Sequence, residues 1–372
     1  MRFLKGLAVV AIALFAFAAC APEEAGVIRI GVAGAHTGDL ASYGIPSINA
    51  AQLVVDQVNA DGGLLGQQIE LVIADDQCAS EIAPNAAARL VGEGVVAVIG
   101  HICSGATRAA LGVYLDSEIV VVSPSATNPP LTQSGEYPNF FRTIAPDDAQ
   151  AALQIEFLLN ELNGSNVAIL HDQGDYGQGL ADFARGYVDE SATAEVVLYD
   201  GVTPGAVDYS AIINRVQQSD ADTVVFGGYH PEASKLVQQM RQRGMTQNFI
   251  SGDGVMDDTF IAVAGEAAEG VYATSPQDVS ANVLAQEATE AHQEEYGEDP
   301  GAFFNNAYAA TLAVINAIEE AGSTEYAAIR SALQNNFVDT PLGSISFDER
   351  GDAIGVGFAM FQVQDGAFAE LQ

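Results

Sequence analysis

Short apolar runs alternate with amphipathic stretches in two successive series along this chain, a pattern that points to parallel sheets flanked by helices. Val27-Ile-Arg-Ile-Gly-Val-Ala33 reads as a strand, and a helix from about Ser42 to Asn59 stops at Asp61-Gly62-Gly63. Strands follow at Ile69–Ala74, Val95–Ile99 and Ile119–Val122, with helices over Ile82–Leu90 and from Ser104 onward. The alternation restarts with strands at Val167–Leu170, Glu195–Tyr199, Thr223–Phe226 and Phe249–Ser251. Helices lie between them, near Gly179–Asp189, Tyr209–Gln217 and Pro231–Arg241. The expected fold class is α/β, with two doubly wound lobes separated at Pro138–Pro146.

The last third is helix-rich from about Val283 to Leu333 and ends in strands near Ser344–Phe347 and Gly357–Val363. It is too short for a third domain and is expected to complete the two lobes. Crossings near Thr143, Ser275 and Ala353 would then divide the chain into residues 27–143 plus 276–353 and residues 144–275 plus 354–372. Several crossings make a hinge, a common device for closing on a ligand.

Residues 1–19 read as an export signal: Arg2 and Lys5 precede the short apolar core Leu7–Phe17 and the small residues Ala18 and Ala19. Phe17-Ala-Ala-Cys20 resembles a lipobox, which predicts a lipid on Cys20 and a tether over residues 20–26; the alternative is plain cleavage after Ala18. No later segment is long and apolar enough to span a bilayer, so membrane contact is expected only through that lipid. If Cys20 is lipidated, Cys78 and Cys103 remain as a pair for an oxidising compartment, the alternative being two buried free thiols. The formal net charge of −36 argues against nucleic acid or anionic membrane as a partner.

Ligands of open α/β sheets bind beyond the carboxyl ends of strands. The loops there are Gly34–Gly44, Gly100-His-Ile-Cys-Ser104 and Ser123-Pro-Ser-Ala-Thr127. Ser104 opens a helix as an N-cap by type, which suits a carboxylate, and Ser125 and Thr127 are expected to add donors. Asp253, in Ser251-Gly-Asp-Gly254 after a strand of the second series, suits an ammonium. Taken singly, each is as easily a cap or a turn residue. The sequence has no Walker loop, G-x-G-x-x-G or G-x-S-x-G. Its five histidines (His36, His101, His171, His230 and His292) are scattered. No enzyme, metal or cofactor is expected.

Four segments, in this order and spacing, resemble the bacterial leucine–isoleucine–valine-binding protein family. They are Gly100-His-Ile-Cys-Ser104, His171-Asp-Gln-Gly-Asp-Tyr-Gly177, Gly227-Gly-Tyr-His-Pro-Glu232 and Gly301-Ala-Phe303. The resemblance runs from about Val27 to near the C-terminus. It implies a type I periplasmic-binding fold with a three-crossing hinge, and a monomeric, exported binder of leucine, isoleucine and valine. It further implies an ABC transporter permease as partner and a Cys78–Cys103 disulfide. Ser104, Ser125, Ala126 and Thr127 would hold the ligand's carboxylate and part of its ammonium, and Asp253 would pair with the ammonium. Tyr176 and Tyr229 would close over the backbone end, with Tyr43 and Phe303 lining the side-chain pocket. The family pattern has Glu at Asp253 and Ala at Ser125; a shorter acid must sit closer, use a water or admit a different ligand. Other solutes on this fold, such as another amino acid, a short amide or urea, and a ligand-sensing receptor are the alternatives.

Overall fold

A computed structural model describes residues 26–371, so the export signal, Cys20 and all but the end of the tether lie outside the described residues. Strands β1 (Val27–Gly34), β2 (Gln68–Asp75), β3 (Ala97–Ile99), β4 (Val120–Ser123) and β5 (Phe140–Arg142) form a sheet ordered β2-β1-β3-β4-β5. Every neighbouring pair in it is parallel. Helices α1 (Ala41–Ala60), α2 (Ala83–Gly92), α3 (Ser104–Asp116) and the single turn α4 (Pro130–Gln133) supply the connections. Side chains alternate across the pleat. Ile28, Ile30, Val32, Ile99, Val120 and Val122 serve one core, and Ala33, Val98 and Val121 the other. A sheet apolar on both faces needs helices on both, which is why these strands read as nearly unbroken apolar runs.

The second series repeats the plan. It runs α5 (Asp147–Asn160), β6 (Asn166–His171), α6 (Asp175–Glu190), β7 (Glu195–Gly201) and α7 (Ser210–Gln218). It continues through β8 (Thr223–Gly227), α8 (His230–Gln242), β9 (Asn248–Ser251), α9 (Asp258–Ala264) and β10 (Tyr272–Pro276). Ala168, Leu170, Val224 and Phe226 point to one core and Val167, Ile169 and Val225 to the other. Then α10 (Val283–Tyr296), α11 (Phe304–Ala321) and α12 (Tyr326–Asn335) follow, and Ala310, Val314, Ile318, Ile329 and Leu333 join the core of β1. A small antiparallel ribbon of β11 (Val338–Thr340), β12 (Gly343–Phe347) and β13 (Ala353–Ile354) comes next. The chain ends with β14 (Phe358–Gln364) and β15 (Ala367–Glu370), antiparallel additions beside β10 that complete the order β15-β14-β10-β9-β8-β6-β7.

Two local expectations differ from the structure. Pro138–Pro146 is not a spacer: it contains β5, and α5 starts directly behind it. Helix α6 begins at Asp175 rather than Gly179. Gly177 and Gly179 weaken helix propensity there, but Gly177 is needed because a Cβ would collide with the Gly227 carbonyl.

The chain between the sheets is pinned by buried polar groups. Arg142, fully buried, donates to Asp352 (2.6 Å), to the Ala126 and Asn128 carbonyls and to Thr132 Oγ1. Thr143 and Asn306 exchange two hydrogen bonds of 2.8 Å each. Cys78 and Cys103 form a disulfide with their Cα atoms 5.4 Å apart, so the loop after β2 is tied to the residue that caps α3.

Candidate ligand-binding site

The loops beyond the carboxyl ends of the two sheets meet face to face. Tyr43 in α1 donates across the gap to the Gly254 carbonyl at 2.8 Å. Asp175 at the start of α6 accepts from Arg108 of α3 at 2.7 Å, and its carbonyl accepts from Asn128 Nδ2 at 2.6 Å. Within this closed cleft the structure brings together residues far apart in sequence, 211 positions in the case of Tyr43 and Gly254.

On the side of the first sheet, the cap of α3 is Cys103, not Ser104, which is the first helical residue. Ser104 is buried, and its Oγ accepts the Asn128 N–H at 3.2 Å, which leaves its own O–H to donate. Together with the free N–H groups of the first helical turn it forms a donor set for an anion. Ser125 does not add a donor, because its hydroxyl is spent on the Ile102 carbonyl at 2.8 Å. Ala126 is fully buried, its N–H bonded to Ser123 Oγ and its carbonyl to Arg142. Thr127 differs from both: it is fully buried and its Oγ1 has no partner.

The side of the second sheet is acidic. Asp253 opens a one-turn 3-10 helix after β9 and is 2% exposed. Its Oδ1 accepts from Tyr176 Oη at 2.7 Å and from Gln150 Nε2 at 2.9 Å. Burial pushes its carboxyl up to about 6, against the pull of those two hydrogen bonds. Asp147, first residue of α5, is fully buried with one carboxyl oxygen unpartnered. Burial, and then the neighbouring Asp253, raise its carboxyl well above the usual carboxylate range. Tyr176 therefore acts chiefly on Asp253, and its oxygen also accepts the Gly254 N–H at 3.0 Å.

Aromatic rings close the rest of the site. Tyr229 stacks 5.0 Å from Tyr176 and 6.4 Å from Tyr43, and Phe303 and His230 each lie 5.5 Å from Tyr43. Phe303 sits just before α11 with φ +61°, a left-handed conformation that is costly for a bulky residue and tolerated where the surroundings enforce it. Beyond Tyr43 a cavity of about 600 Å³ opens outward between Pro46, Gly301, Ala302 and Met256.

Asp147 and Gln150 are the site residues that the sequence reading misses. The signal was present: Pro146-Asp-Asp before an apolar-periodic stretch is a helix start with acids in its first turn.

Residues 27–367 match the family described as periplasmic binding protein. The chain belongs to that family. A leucine-, isoleucine-, valine-, threonine- and alanine-binding protein of Pseudomonas aeruginosa is 34% identical over 97% of this chain and 95% of its own length. A Leu/Ile/Val-binding protein of Escherichia coli is 35% identical over 90% of each chain. Among solved structures, a leucine-binding protein of Thermotoga maritima superposes with a TM-score of 0.86 at 28% identity, covering 93% of this chain and 98% of that one. A branched-chain amino acid transporter substrate-binding protein of Streptococcus pneumoniae in complex with isoleucine gives 0.83 at 29% identity, over 93% and 100%. These neighbours share the periplasmic binding protein type I arrangement of two α/β lobes.

Proposed function

We propose that this periplasmic binding protein captures aliphatic amino acids, branched-chain ones foremost, and presents them to an ABC importer. The observation that carries this reading is the set of buried oxygens converging on the cleft: Thr127 Oγ1 and one Asp147 oxygen have no partner, and Asp253 stands beside them, buried. Buried acceptors without donors are costly unless a ligand supplies them. An α-ammonium supplies three N–H donors and a positive charge, which answers both the unpaired oxygens and the buried acids.

The opposite end of the zwitterion goes to Ser104 and the α3 N-terminus. Tyr43, Tyr229 and Phe303 enclose an aliphatic side chain, which gains about 0.8 kcal/mol per CH₂ buried. Neighbours that differ by one methylene are then separated by only about 1–3 kcal/mol, so leucine, isoleucine and valine should all bind. Two acids facing one ligand disfavour a neutral amide or urea, which brings the buried pair no counter-charge. Residues 27–143 with 276–353 form one lobe in this reading and residues 144–275 with 354–372 the other. The lobes swing about the three connecting segments, and the cross-gap bonds of Tyr43 and Asp175 belong to the closed form. The protein works as a monomer held at the membrane by lipid on Cys20.

Titration calorimetry of ligand-stripped protein against leucine, isoleucine, valine, alanine, phenylalanine, glutamate and acetamide tests the reading. One-to-one binding of the three branched aliphatics with acetamide silent supports it. Failure of all three while another solute binds overturns the ligand assignment.

A further inference from the structure

Asp147 and Asp253 are separated by a single amide group. Gln150, fully buried in α5, donates from Nε2 to Asp253 Oδ1 at 2.9 Å, and the same nitrogen lies 3.5 Å from Asp147 Oδ1. The orientation of that amide is fixed, since its Oε1 accepts the Asp253 N–H at 3.1 Å and the Thr274 hydroxyl at 3.0 Å. The Gln150 amide nitrogen therefore stands between the two carboxylates, with an oxygen of each within 3.5 Å of it. No base of the described residues bonds either acid. Arg142, the nearest cation to Asp147, spends its guanidinium on Asp352, Thr132 and two carbonyls.

We infer that Gln150 positions Asp147 and Asp253 as one proton-sharing acid pair, and that the arriving ammonium displaces the shared proton, so that capture of an amino acid is coupled to proton release. This deepens the reading given under Proposed function and rests on it. With the site empty, two like charges this close and this buried cannot both be ionised at mildly acid pH, so the pair keeps one proton and carries a charge of −1. When the ammonium docks, the pair ionises fully to −2 against the ligand's +1, and the proton leaves to solvent. No bond other than the O–H is broken. The charged and titratable groups around the pair act in both directions. Asp148, on the same helix, favours the protonated form and Arg142 opposes it, while Tyr176, Gln150 and the Gly254 N–H stabilise the ionised form. Tyr43 and Tyr229 face Asp253 as neutral phenols held far above their usual range, chiefly by burial. Lobe closure over an empty site thus requires a proton, and closure over a ligand does not.

Two measurements test this. In the first, leucine is titrated calorimetrically into the ligand-free protein near pH 5 and near pH 8, in paired buffers of different ionisation enthalpy, to count protons exchanged. The expected result is release of about half a proton or more per leucine near pH 5, falling towards none near pH 8. Asp147→Asn should abolish most of that release. Gln150→Glu should increase it and move its midpoint upward, because the empty site then holds a third acid; a merely structural Gln150 would leave the stoichiometry unchanged. Leucine binding with buffer-independent heat at both pH values overturns the inference. If leucine gives no heat, the ligand reading fails, and the second measurement decides the acid pair by itself. Thermal unfolding of ligand-free protein should show Asp147→Asn raising Tm by a few degrees near pH 8 and by much less near pH 4. An equal shift at both pH values, or none, overturns it.

Discussion

The first-sheet side of the cleft is built from hydroxyls and a helix N-terminus, whereas the second-sheet side is built from two buried acids and the groups that hold them. The first set lies close together in sequence, Ser104 to Thr127, on the ends of the adjacent strands β3 and β4. The second draws Asp147 and Gln150 from the start of a helix and Asp253 from a turn beyond β9, 103 positions from Gln150. A neutral, dipolar surface carries little desolvation cost and can be supplied by any helix start. A buried acid pair is costly alone and so needs a dedicated frame, here Gln150, Tyr176 and Thr274. Under the proposed function, the difference would put most of the selectivity for a cationic group in the second half and the affinity for a carboxylate at Ser104 and the α3 N-terminus.

The comparison is broken most readily on the acidic side. Asp253→Ala should weaken leucine binding by about 2–5 kcal/mol, since it leaves the ammonium buried against a half-empty frame; a loss under tenfold by calorimetry would contradict its role. Loss of the disulfide by Cys78→Ser, on the neutral side, should destabilise the protein by about 3 kcal/mol through loop entropy. Denaturant unfolding reads this, and leucine affinity should change little in the protein that remains folded. Thr127→Val removes the unpartnered hydroxyl at the end of the Ser104–Thr127 set and should cost about 1–3 kcal/mol of binding. A fourth prediction concerns Asp172, in the loop before α6, whose carboxyl burial pushes up to about 7. A carboxyl raised on folding favours its neutral form, so its unfavourable contribution is small near pH 4, grows as pH rises towards about 7 and is then fully present. Asp172→Asn keeps an acceptor for the Gly174 N–H, now bonded at 2.8 Å, and should raise Tm near pH 8 but not near pH 4. Smallest is Ser125→Ala: with its hydroxyl turned onto the Ile102 carbonyl, binding should shift by less than about 1 kcal/mol.

Much of this architecture was legible in the sequence because it rests on periodicity. The strand runs around Ile30, Val121, Ile169 and Val225 announce sheets buried on both faces, and the rule that ligands bind beyond strand ends leads directly to Ser104, Thr127 and Asp253. Composition could not reveal which hydroxyls are free. Ser125 and Thr127 look alike in sequence, yet one is spent on a carbonyl and the other has no partner, a distinction made by loop geometry. Asp147 is not legible as a site residue because Pro146 fits a segment boundary as well as the helix start that it is. The bond from Tyr176 to Asp253, 77 positions away, was not legible in either segment taken alone.

A crystal structure of the leucine complex tests the central claim most directly, because the claim is about orientation. The account predicts the ammonium nitrogen within hydrogen-bonding distance of Thr127 Oγ1, Asp147 and Asp253, and the carboxylate against Ser104 and the first turn of α3. A leucine bound the other way round, or bound with Asp147 and Asp253 touching only water, would contradict it.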